Sequence, residues 1–135
     1  ERMLTEVFGM EWYKVHDEAE RLEHAVSGDF EKLLAQKLGA DHPCPHGNLS
    51  EIDSPAERRA RGWRTLDEIE APAEVSVVSV YERDRDLLER LDRMHVKPGA
   101  KLKVTPRSDA ERFEFRVSGA ATQIAADVAR KIWVN

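Results

Sequence analysis

Residues 14–27 read KVHDEAERLEHAVS, and the character of the first third of the chain follows from them. His16, Glu20, Glu23 and His24 are separated by four, three and one residues. A helix advancing about 100° per residue gathers all four into an arc of roughly 100° on one face. Val15, Ala19, Leu22 and Val26 form an apolar stripe beside that arc. Two imidazoles and two carboxylates facing one way, with no lysine or arginine among them, repel one another unless a cation sits between them. The spacing therefore points to a divalent-metal site at the margin of a packed interface. The competing reading is a solvated helix face, with Glu20 paired weakly to Arg21 or Lys14.

Upstream, ERMLTEVFGM reads as the interior and last turns of a helix, with Leu4, Val7 and Phe8 on one face and Gly9 as its stop. There is no initiator methionine, so a preceding region is expected to lie outside this chain. Downstream, Ser27-Gly28-Asp29 breaks the helical pattern, and Ser27 or Asp29 suits the N-cap of a third helix over Phe30–Leu38. Asp41–Asn48, DHPCPHGN, is turn-rich. Histidine and cysteine at alternate positions (His42, Cys44, His46) could hold zinc. Two interleaved prolines and the lack of a second ligand pair at familiar spacing make a structural turn the expectation instead.

Residues 49–72 read as a connector, with Ser54-Pro55, a basic patch of Arg58, Arg59, Arg61 and Arg64, and Trp63. Beyond it the period changes to two. AEVSVVSVYE, KLKVTP and RFEFRV alternate as strands, RDLLERLDRM is a short amphipathic helix, and His95–Gly99 forms a turn. An alanine-rich helix is expected over about Ala121–Arg130, with IWV closing the chain as an edge strand. Val75, Val77, Leu87, Leu91, Leu102, Val104, Phe113, Phe115, Val117 and Ile124 form the expected core of a small barrel.

The 135 residues suffice for one ordinary domain or two small ones. With 26 acidic against 21 basic side chains and a net charge of −5, the chain does not look like a stand-alone nucleic-acid binder. One cysteine permits no internal disulfide and suits a reducing cytoplasm. No apolar run reaches bilayer length, and no signal peptide opens the sequence.

Three segments carry a resemblance: VHDEAERLEHAVS (15–27), HPCPHGN (42–48) and RDLLERLDRMHVKPGAKLKV (85–104). They resemble the diphtheria-toxin-repressor and manganese-transport-regulator family of metal-dependent transcriptional repressors. The resemblance implies an α+β chain that is not an enzyme. A helical dimerisation and metal-sensing domain would span residues 1–50, followed by a connector over 51–72. An SH3-like domain of the ferrous-iron-transport type would span 73–135, and the family's N-terminal winged helix-turn-helix would be absent. It further implies a homodimer that meets operator DNA through that absent domain and does not engage a membrane.

Ligands carry over by position. Glu20, Glu23 and His24 match the family's principal metal site, while His16 and Glu1 match its ancillary site. The SH3-like domain of some relatives adds ligands at positions matching Ser79 and Glu82. Serine is a poor ligand, so Glu82 is the candidate, with Asp84 or Asp86 as substitutes. Iron-responsive members have cysteine where this chain has Glu20. A carboxylate there shifts the donor set toward oxygen and toward Mn(II), with Fe(II), Co(II), Zn(II) or Cd(II) as further occupants. Two other functional classes remain beside this one: a metal-dependent hydrolase, which lacks any recognisable nucleophile or phosphate loop here, and an interaction module binding through its small barrel.

Overall fold

A computed structural model describes residues 1–39, 42–49, 52 and 54–135. Asp41, part of the turn-rich stretch, and three residues of the connector (50, 51 and 53) lie outside the described residues. Three helices come first: α1 (Arg2–Glu6), α2 (Val15–Glu23) and α3 (Gly28–Leu38). Gly9 takes a positive φ of 66° just past α1, and the Ser27 hydroxyl caps α3 by accepting from the Phe30 amide. The second helix stops at Glu23, short of Val26, the last member of the apolar stripe. Of its apolar stripe Val15 is fully buried, whereas Leu22 is left exposed. The Arg2 guanidinium donates to the Leu38 carbonyl and ties α1 to the end of α3.

The connector is not featureless. Ser54 and Glu57 form a capping box that starts α4 (Pro55–Ala60), and Arg64–Thr65 is a short strand, β1. A 3-10 turn over Leu66–Glu68 follows. The remaining elements are β2 (Ala73–Val80), α5 (Arg85–Arg93), β3 (Lys101–Val104), β4 (Arg112–Val117), β5 (Ala120–Ala125), α6 (Ala126–Ala129) and β6 (Ile132–Val134). Six strands form one antiparallel sheet in the order β1-β6-β2-β3-β4-β5.

Two expectations are corrected here. The alanine-rich stretch begins as a strand: Ala120–Ala125 pairs with β4 from Val117↔Ala120 to Arg112↔Ala125, and only Ala126–Ala129 is helical. The cause is Ser118-Gly119, both at positive φ (49° and 83°), a two-residue turn of the kind that twists correctly for a hairpin. Likewise, β6 is no edge strand, because it lies between β1 and β2.

The alternation of β3 and β4 turns Leu102, Val104, Phe113, Phe115 and Val117 inward, where they meet Leu87, Leu88 and Leu91 of α5. The expected barrel residues are in this core, Val75 at its partly buried margin. Trp12, from the helical region, belongs to the same core, so helices and sheet share a packed boundary. Among the described residues no helix is long and apolar enough to cross a membrane.

Candidate metal centre

The turn over residues 42–48 is seated on the end of β2. Cys44 and Gly47 close it through Cys44 N–H to the Asn48 carbonyl (2.9 Å) and Gly47 N–H to the Cys44 carbonyl (2.8 Å). The Val80 amide then donates to the His46 carbonyl at 2.9 Å. Glycine is required at 47: φ is +82°, and a Cβ there would stand 1.9 Å from the Val78 carbonyl oxygen. The pairing of β2 with β6 shifts register between Val77 and Ser79, a bulge at that same point. The bulge and the glycine together let the turn approach closely enough to bring Cys44 and His46 beside Glu82, two residues beyond β2.

Four potential ligands meet there. One donor atom from each of Glu1, Cys44, His46 and Glu82 lies within 4.8 Å of all the others. His46 is fully buried, and its Nε2 donates to the Trp12 carbonyl at 2.7 Å. A carbonyl only accepts, so that bond fixes the hydrogen on Nε2 and turns Nδ1 toward the carboxylates of Glu1 (3.1 Å) and Glu82 (3.7 Å). A lone pair facing two carboxylates is unfavourable, and a proton or a cation at Nδ1 relieves it. Fixing one imidazole nitrogen to a backbone carbonyl so that the other can coordinate is a common arrangement behind metal-binding histidines.

His16 adds a second imidazole at the rim. Its Nδ1 is 2.8 Å from Glu1 Oε1 and 4.0 Å from Glu82 Oε1. Its Nε2 lies 3.4 Å from Glu20 Oε1 without hydrogen-bond geometry, and so is a buried nitrogen lacking a partner. Burial pushes the Glu1 carboxyl up, but the hydrogen bonds from His46 and His16 outweigh it and hold that group at about 2. At Cys44 burial first, then the charges of Glu82 and Glu1, push the thiol up to about 12, against the lowering effect of backbone hydrogen bonds at Asn48 and His46. A metal would have to displace that proton, because the thiolate is the ligand. Two carboxylates, an imidazole nitrogen and a thiol, largely withdrawn from water, fit a divalent cation of intermediate softness.

Glu1, His16 and Glu82, separated in sequence, are thus brought together. Glu20, Glu23 and His24 are not gathered into such a cluster among the described residues. They lie along the exposed side of α2 and its C-cap, with His24 Nε2 3.8 Å from Glu23 Oε1, beside Asp17 and Arg21. Arg21, adjacent to that face, is engaged by Glu18 at 3.2 Å. Cys44 and His46 are the cluster members that the expectation of a purely structural turn passed over. Their signal was a Cys-Pro-His-Gly run, two ligand types held two residues apart by a rigid backbone.

Comparison with known proteins gives two family-model matches. Residues 1–50 match "Iron dependent repressor, metal binding and dimerisation domain", and residues 64–135 match the FeoA domain. Similar curated proteins include the diphtheria toxin repressor of Corynebacterium glutamicum, 28% identical over all of this chain and 62% of that protein. The iron-dependent repressor IdeR of Mycobacterium bovis is 34% identical over 77% of this chain and half of its own length. Among solved structures, a manganese-dependent transcriptional repressor superposes with a TM-score of 0.80 at 26% identity, covering 99% of this chain and 74% of that one. A manganese complex of a repressor so named gives 0.82 at 27% identity, covering 98% of this chain and 64% of that one. The chain spans less than two thirds of the corynebacterial repressors it matches.

Proposed function

We propose, from the premise that this chain belongs to the diphtheria-toxin-repressor family, that it is the metal-sensing and dimerising part of a transcriptional repressor activated by Mn(II). The observation that carries metal sensing is the convergence of Glu1, Cys44, His46 and Glu82, with His16 at its edge; the preference for Mn(II) rests on the carboxylate of Glu20. A cation bound there supplies positive charge to neutralise two carboxylates and a thiolate in a partly dry site. The protein's own groups do the rest. Trp12 orients His46 through its carbonyl, and Glu1 and His16 come from the helical region. Glu82 comes from the end of β2. Ligands drawn from both sides of a boundary make occupancy and the packing of that boundary thermodynamically linked, each favouring the other.

Glu20, Glu23 and His24 are proposed as a second, principal site. Their exposure along α2 suits a site whose remaining ligands come from the family's DNA-binding domain. Carboxylate at Glu20 favours Mn(II) over Fe(II) for that site, while Co(II), Zn(II) and Cd(II) would also bind in vitro. Val7, Phe8, Leu22, Phe30 and Leu33 are exposed apolar residues of the helical region, and we assign them to the seam of a two-fold dimer whose symmetry sets the operator half-site spacing. Operator DNA is the partner, and the cytoplasm is the compartment. The test is operator binding by the full-length protein with Mn(II), with Fe(II) and after chelation. Binding that ignores chelation, or that survives Glu23→Ala and Glu1→Ala together, would overturn the reading.

A further inference from the structure

The Glu82 carboxylate is held from behind. Asn48 Nδ2 donates to Glu82 Oε2 at 2.7 Å and to the Val80 carbonyl at 3.2 Å. Its Oδ1 accepts from Arg58 Nη2 at 2.9 Å, while Arg58 Nη1 donates to the fully buried Ser79 hydroxyl at 2.5 Å. The guanidinium also lies over the Trp133 ring, 5.3 Å from its centroid. Arginine has no acceptor, so the Asn48 oxygen must face it and the amide nitrogen must face Glu82. One orientation of that amide serves both neighbours.

From this chain of contacts we propose that Arg58 and Asn48 are positioning residues for Glu82, so that α4 of the connector is part of the metal sensor. The proposal rests on the reading of Glu1, Cys44, His46 and Glu82 as a cation site. Cys44 Sγ donates to the same oxygen, Oε2, at 3.3 Å. Asn48 Nδ2 thus shares Oε2 with the Cys44 thiol and holds it through the shorter of the two bonds. Because Arg58 sits on α4, a site that holds Glu82 firmly also holds α4, and ordering of α4 favours the site by the same factor. Cys44, Asn48, Arg58 and Glu82 line one open groove of about 810 Å3, which gives an ion a path to the ligands.

The experiment is Co(II) titration of the purified protein, read by the cobalt–thiolate charge-transfer band and the ligand-field spectrum, with Mn(II) affinity by calorimetry. Cys44→Ser identifies the band. Asn48→Ala and Arg58→Ala are expected to weaken uptake roughly tenfold or more and to alter the ligand-field spectrum at saturating Co(II). Arg58→Lys, which keeps charge but not the two-armed geometry, should rescue only in part. Arg61→Ala, at the exposed C-cap just past the same helix, should change nothing. Wild-type affinity and an unaltered spectrum in both Asn48→Ala and Arg58→Lys would overturn the proposal while leaving the cation site standing. A wild-type protein that binds no Co(II) and shows no thiolate band would remove both. Weaker binding with an unaltered spectrum at saturation would mark Arg58 and Asn48 as structural only, and would overturn the positioning role.

Discussion

The indole N–H of Trp12 donates to Asp92 Oδ1 at 2.6 Å across 80 residues of sequence, while the carbonyl of the same tryptophan accepts from His46. One residue thus docks the helical region against α5 and sets the tautomer of a candidate ligand. Trp12→Phe keeps the ring in the core and loses the donor. It should destabilise the protein by about 1–2 kcal/mol, read as a lower urea midpoint with an unchanged slope.

Asp92 makes that contact pH-sensitive. The Lys97 ammonium, 2.5 Å away, holds its carboxyl below the usual 3.8; burial opposes this, and the Trp12 indole lowers it further. A carboxyl depressed in the folded state stabilises above its ordinary value and loses that contribution as pH falls through the folded one. Stability should therefore drop below about pH 4, and the drop should be shallower in Asp92→Asn. Equal acid sensitivity in the two proteins would refute this assignment.

Gly47 is the tightest point of the candidate centre. Gly47→Ala would put a methyl group into the Val78 carbonyl at a φ that suits glycine. The expected result is a loss of more than 2 kcal/mol and at least a tenfold loss of cobalt uptake, because Cys44 and His46 would be levered away from Glu82. Thermal melting and the thiolate band measure the two effects separately.

Cation binding should stabilise the fold by mass action. At a hundredfold excess over Kd the gain is about 2.7 kcal/mol, an increase in Tm on the order of 10 °C for a chain of this size, reversed by chelator. Glu1→Ala should abolish the increase at the cluster. Glu20→Ala, on an exposed face, should leave the cation-free Tm nearly unchanged, within about 0.5 kcal/mol, while weakening metal-dependent operator binding.

Periodicity made the helices, β2, α5, β3 and β4 legible, because each buries one face against a single core. It misjudged Ala120–Ala125, where alanine content suggested helix while the Ser118-Gly119 hairpin and its register with β4 imposed a strand. It misplaced Ile132–Val134, since no local pattern says which strand will be internal. The shared face of Glu20, Glu23 and His24 on α2 was legible as a spacing. The approach of Cys44 and His46 to Glu82 was not, because it depends on a turn meeting a bulge on β2 (residues 42–48 against Val78 and Ser79), a long-range approach that sequence spacing does not encode. Glu82 was named through the resemblance alone and not through any spacing within the chain.

The internal position of Ile132–Val134 also bears on how the molecule comes to exist. Among the described residues strand β1 has its sheet partner only in β6, and Trp133 provides the aromatic floor beneath Arg58 and Arg59. A ribosome making this polypeptide releases the helices, the turn and Glu82 well before that floor is translated. Nascent protein therefore carries Glu1, Cys44, His46 and Glu82 before Arg58 has its full backing, and the cluster reaches its final geometry late in synthesis rather than by degrees with length.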